Sequence, residues 1–85
     1  MDNLPNRRQD LEGETYDGAT LRLVYTVARN LYRCPGCRES VQIGAAHTLV
    51  HHLSEDPPFY QHWHRDCAAR DLVRQLKTSR AVRAT

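Results

Sequence analysis

Cys34-Pro35-Gly36-Cys37 and His64-Arg65-Asp66-Cys67 are two ligand pairs of equal internal spacing, 26 residues apart, and together they use all three cysteines of the 85-residue chain. Two thiolates separated by two residues reach one ion across a tight turn, and Pro35-Gly36 favours such a turn. The second pair opens a stretch whose apolar residues recur at helical intervals, so His64 and Cys67 fall on one face of a first helical turn. The spacing predicts one tetrahedral, structural zinc ion held by Cys34, Cys37, His64 and Cys67. His62 is the only other histidine near enough in sequence to stand in for His64, and His64 keeps the two-residue gap to Cys67.

Other uses of the cysteines fit less well. A dithiol redox motif sits at a strand-to-helix junction, and no long amphipathic helix follows Cys37. A disulfide framework calls for an even number of cysteines and a secretory leader, whereas Met1-Asp2-Asn3-Leu4-Pro5 has neither a basic start nor an apolar run. The expectation is a cytoplasmic protein with reduced thiols held by metal. A core this small supplies only about 3–5 kcal/mol, while structural zinc contributes on the order of 10–16 kcal/mol of apparent binding energy to short peptides. Folding and metal binding are therefore expected to be coupled.

Composition divides the chain into an acidic N-terminal tail (1–17), a single zinc-binding domain (18–80) and a flexible C-terminal end (81–85). Over 21–33 a helical wheel places Leu21, Leu23, Val24, Tyr25, Val27, Ala28, Leu31 and Tyr32 on one arc. Leu21, Leu23, Tyr25 and Val27 also alternate, so both helix and strand are open for 20–33, with an amphipathic helix preferred. Short strands are expected around 41–43, 46–53 and 59–63, and 54–58 is a loop by composition. The last element, 65–79, carries Ala68, Ala69, Leu72, Val73 and Leu76 on one stripe and is predicted to be a helix. No segment approaches the roughly 18 apolar residues of a membrane span. The expected fold is thus a small α+β, zinc-stabilised domain of treble-clef type: a knuckle, a short antiparallel hairpin and a C-terminal helix, preceded by an amphipathic helix.

The run Cys34-x2-Cys37-x3-Val41-x2-Gly44-x2-His47, followed by Trp63-His64-x2-Cys67, resembles the poly(ADP-ribose) polymerase-type zinc finger over about 33–69. That resemblance implies the same four zinc ligands and raises binding to DNA ends or nicks. The chain departs from the pattern in a shorter interval between ligand pairs, in His47 where arginine is common, and in an acidic loop at 54–58. Tyr-Arg-Cys-Pro-Gly-Cys and His-Trp-His-x2-Cys are also similar to pairs in small, uncharacterised, arginine-rich bacterial zinc-binding proteins, which implies no function.

Net charge is +2, distributed as −3 over residues 1–20, +1 over 21–64 and +4 over 65–85. On the predicted last helix Arg70, Arg74 and Lys77 form a stripe that Arg80 and Arg83 extend, a surface able to lie along phosphates or to face a protein partner. A solvated charged face is the plainer reading. His47, His51, His52 and His62 lack ligand spacing and are expected on the hairpin surface, His47 and His51 on one strand face and His52 on the other. Tyr25, Tyr32, Phe59, Tyr60 and Trp63 are expected to supply the small core, although an exposed Trp63 or Phe59 could stack on a base or fill a partner's pocket.

Four protein ligands close a tetrahedral sphere, so catalysis at the metal is disfavoured, and deaminase, serine-nucleophile and phosphate-loop motifs are absent. The sequence thus points to a non-enzymatic zinc module that recognises another protein, with nucleic acid as the alternative partner and no small-molecule substrate.

Overall fold

The computed structural model describes residues 9–83, and alternation prevails over helical spacing in their first half. Strand β1 is Gln9–Thr15 and β2 is Thr20–Val27, joined by a turn through Gly18. The amphipathic helix expected before the first cysteine is therefore corrected to a strand. Thr20, Val24, Thr26 and Val27 are β-branched and Tyr25 is aromatic, residue types that favour a pleated surface and lose side-chain freedom in a helix. Leu21 and Leu23 are buried, whereas Arg22 and Val24 between and beyond them are only half-buried.

A two-stranded insert follows, β3 (Tyr32–Arg33) with β4 (Ser40–Val41), and then β5 (Ala46–His52) and β6 (Phe59–His64) form a hairpin. One helix, α1 (Arg65–Asp71), and a 3₁₀ turn at Val73–Gln75 lead into β7 (Leu76–Arg83). The main sheet is antiparallel in the order β6-β5-β2-β1-β7, and β3-β4 is a separate small sheet. The treble-clef α+β expectation is corrected accordingly. This is a small, mostly antiparallel β domain with one short helix near its C-terminal end.

Long-range pairing explains why the final helix stops early. A helix running on through Ser79 would deny β1 its second neighbour, whereas β7 pairs with β1 from Gln9↔Arg83 to Thr15↔Leu76. No glycine or proline marks the stop in sequence, so the tertiary pairing decides it. The acidic leading segment divides at this point: 1–8 lie outside the described residues, and Gln9–Thr15 is a strand between β2 and β7.

Register places Leu11, Leu23 and Val50 side by side across three strands, with Tyr25, Thr48 and Trp63 in the neighbouring row. Ala68 of α1 and Leu72 just after it join the buried cluster, which Cys34, Val41 and Cys67 complete. The core is thus continuous with the candidate site.

β7 runs close against β1 at Gly13, where an added Cβ would collide with the backbone oxygen of Thr78. Backbone cannot rotate out of the way as a side chain can. Gly13→Ala is expected to destabilise the fold by about 1–3 kcal/mol, lowering the melting temperature by roughly 5 °C or more. An unchanged melting temperature would show that β7 can shift away from β1 without cost.

Candidate metal centre

The first ligand pair sits at the tip of the small hairpin. Tyr32 pairs with Val41 and Arg33 with Ser40, so the chain returns on itself between Cys34 and Glu39. The Cys34 N–H donates to the Glu39 carbonyl (2.9 Å) and the Arg38 N–H to the Cys34 carbonyl (2.7 Å). Arg38 adopts φ 66°, a left-handed conformation that closes the turn. Gly36 has a second role beyond turn formation: a Cβ there would lie 2.6 Å from Cζ3 of Trp63. Only glycine lets the knuckle rest on the indole.

The second pair comes from the junction of β6 and α1. His64 is the last residue of β6 and Cys67 lies in the first turn of the helix. The His64 backbone N–H donates to Cys34 Sγ at 3.4 Å, tying the two halves together. Nε2 of His64 lies 2.9 Å from the Ser40 carbonyl, which can only accept, so Nε2 carries the ring proton. Nδ1 is left with its lone pair, 3.2 Å from Cys37 Sγ and 3.8 Å from Cys67 Sγ. An outer partner that fixes the tautomer in this way is characteristic of metal-binding histidines.

The donor atoms of Cys34, Cys37, His64 and Cys67 all lie within 4.8 Å of one another. A tetrahedral ion with metal–sulfur bonds of about 2.3 Å holds its donors roughly 3.8 Å apart, so the cluster needs only a small contraction to close on a metal. None of the three cysteines is in a disulfide. Burial pushes the Cys34 thiol up, but the backbone N–H groups of His64, Cys37 and Gly36 outweigh it and bring it down to about 7. Burial and then the neighbouring sulfurs push Cys67 up to about 11. Three sulfurs this close oppose one another as thiolates, and a cation among them reverses that opposition. These four residues can hold one metal ion.

The basic residues fare differently. Of Arg70, Arg74, Lys77 and Arg80, the first alone lies on α1; Arg74 is in the 3₁₀ turn, and Lys77 and Arg80 are on β7, so no helical stripe joins them. Arg70 pairs with Asp71 (2.8 Å), Lys77 with Glu14 (3.8 Å) and Arg80 with Glu12 (3.2 Å). Trp63 is buried, while Phe59 and Tyr60 are exposed rather than in the core, stacked on His52 and His51 respectively. His47 and His51 do share one face of β5, as their partners His64 and Tyr60 show.

Three residues beside the site have a role the sequence did not suggest: Tyr32 is expected in the core and His47 and His62 on the hairpin surface, and the surface placement of His47 is corrected to a buried one. His47 is 3% exposed, and its Nε2 is 3.0 Å from His62 Nδ1. The Tyr32 ring stacks on His62, with centroids 3.4 Å apart and an interplanar angle of 2°. The available signal was positional: Tyr32 and His62 each stand two residues before a ligand, so strand periodicity turns them to the ligand's side. Comparison with known protein families, curated proteins and solved structures gave no match to this chain.

Cys67→Ala removes a donor that no neighbour replaces. The purified, reduced variant is expected to hold no stoichiometric metal and to melt at a markedly lower temperature, because the ion's binding energy is lost while the buried apolar cluster and the Tyr32–His62 stack remain. Elemental analysis with thermal denaturation checks this. Wild-type metal content in the variant would remove the four-ligand centre.

Proposed function

We propose that this chain is a non-enzymatic, zinc-stabilised recognition module whose partner is another protein. Three cysteine sulfurs and one imidazole within 4.8 Å of one another suit zinc, a borderline-soft ion without geometric demands of its own. All four positions are filled by side chains, which leaves no site for a reacting water, so the ion's role is structural. Three free thiols fit a reducing, cytoplasmic setting.

The observation that carries the choice of partner is the internal use of positive charge. Arg22 is bonded to Asp10 at 3.1 Å, Arg70 to Asp71, Lys77 to Glu14 and Arg80 to Glu12, and Arg65 lies over the Tyr25 ring at 5.7 Å. A phosphate backbone would have to compete with carboxylates already in place. The sheet meanwhile offers a surface suited to polypeptide. The knuckle packs against β6, whereas β7 has β1 as its single strand neighbour among the described residues. An edge strand presents unpaired N–H and C=O groups to which an extended segment can add.

One zinc per chain is expected from elemental analysis of protein purified under reducing conditions. Gel-shift titration against duplex, nicked and single-stranded DNA is expected to give no complex at either low or moderate salt. A photo-crosslinking residue at Ser79 is expected to trap a discrete protein adduct in cell extract. A DNA complex that forms at low salt and collapses on raising it would overturn the protein reading and transfer the role to Arg70, Arg74, Lys77 and Arg80.

A further inference from the structure

We infer that Tyr32 and His62 are positioning residues for the metal centre: their stacked rings hold the two ligand pairs within reach of one ion before it binds. The inference rests on the zinc reading for its affinity test and on geometry alone for its structural test. It concerns residues outside the ligand set, and three observations carry it.

The ligands come from two pieces of chain that share no sheet. Cys34 and Cys37 belong to the β3-β4 hairpin, while His64 and Cys67 belong to the end of β6 and the start of α1. Something other than a strand ladder must therefore dock the hairpin. Tyr32, two residues before Cys34, lies flat on His62, two residues before His64, at a centroid separation of 3.4 Å. A contact so placed fixes the distance between the half-sites with a lever arm of only two residues on each side.

His62 is itself held. Its Nδ1 is 3.0 Å from Nε2 of His47, a buried residue on β5, and the Tyr32 hydroxyl accepts from Asn30 Nδ2 at 3.2 Å. The rings of His47, His62 and Tyr32 are parallel to within 6°. A hydrogen bond on one side and a stack on the other leave the His62 ring no alternative rotamer that keeps both.

The grip has two sides. Successive strand residues point to opposite faces, and Trp63, which follows His62, meets the knuckle at Gly36. Residues 62, 63 and 64 thus supply a stack, an apolar seat and a ligand to one hairpin. A site assembled by its own side chains loses less conformational entropy when the ion arrives, which is the source of tighter binding.

Zinc affinity measured by competition with a chromophoric chelator tests the inference. Tyr32→Phe keeps the ring and is expected to bind as wild type, whereas Tyr32→Ala is expected to bind about tenfold more weakly, the low end of the loss seen for outer-shell partners. The cobalt-substituted forms should share one Cys3His absorption spectrum, showing that all four ligands remain. Leu11→Ala, which loosens the core on a distant strand, separates positioning from general stability. If it weakens binding as much as Tyr32→Ala does, or if Tyr32→Ala binds as wild type, the positioning role is overturned. In reduced, metal-free protein, nuclear Overhauser contacts between the Tyr32 and His62 rings are expected to persist. Their absence would also overturn the inference, and this readout decides it even if the wild-type chain takes up no zinc, an outcome that would defeat the functional reading alone.

Discussion

A hairpin tip and a strand end that share no ladder of hydrogen bonds have to meet closely enough for four donors to surround one point. Most of the structure between Tyr32 and Asp71 follows from that requirement. β5 and β6 pair from His47↔His64 to His52↔Phe59, which delivers His64 to the end of the sheet beside Thr26 and Val27, where β2 hands over to the knuckle. The chain leaves the sheet from β2, makes its turn and re-enters at the neighbouring β5. Gly36 permits the closest approach to Trp63, and the Ser40 carbonyl then finds His64 Nε2 and settles which ring nitrogen faces the sulfurs. Leu23, Val41, Cys34 and Cys67 belong to one buried cluster, so a metal held by the cysteines would stabilise the same contacts as the apolar packing.

The second organising interaction is electrostatic. Residues 9–15 contribute acids and 76–83 contribute bases, and the antiparallel register sets Glu12 directly opposite Arg80. What reads in sequence as an acidic leader and a basic terminus is one strand pair seen from its two ends. Individual pairs of this exposure are worth roughly 0–1 kcal/mol, so they do not create the fold. Their effect is selective. A slip by one residue would turn every side chain of β7 to the opposite face and set like against unlike patterns, and charge adds to apolar pairing in refusing it.

The ligands were legible because their meaning is local: two residues of separation within a pair is a property of a turn or a helical first turn, whatever the rest of the chain does. β2 was harder, since Leu21, Leu23, Tyr25 and Val27 satisfy both a two-residue and a broad 3.6-residue pattern, and only β-branching at Val24, Thr26 and Val27 favoured the strand. The stretch from Leu72 to Arg83 was not legible at all by periodicity. Ala68, Ala69, Leu72, Val73 and Leu76 form a good helical stripe, and what ends the helix is a partner, β1, about 65 residues earlier in the chain. Non-local pairing overrode a local preference there. The Tyr32–His62 stack was hidden for the same reason, being a contact between elements whose proximity the ligand spacing implies but whose faces it does not specify.

An open edge next to a closed one has a further physical consequence. On the β6 side the knuckle, tied down by Tyr32, Gly36 and Ser40, covers part of the edge. On the β7 side the backbone is accessible, and Lys77 to Ala81 are all exposed. Bare edges invite self-pairing, and proteins commonly discourage it with lysine, arginine and local irregularity. β7 has both: Lys77 and Arg80 along its length, and a break in register opposite Glu14 and Thr15. Lys77 and Arg80 are themselves paired with Glu14 and Glu12 of β1, so much of the charge along this edge is balanced within the chain. An accessible backbone edge whose basic side chains already have carboxylate partners would favour an extended polypeptide over a phosphate backbone.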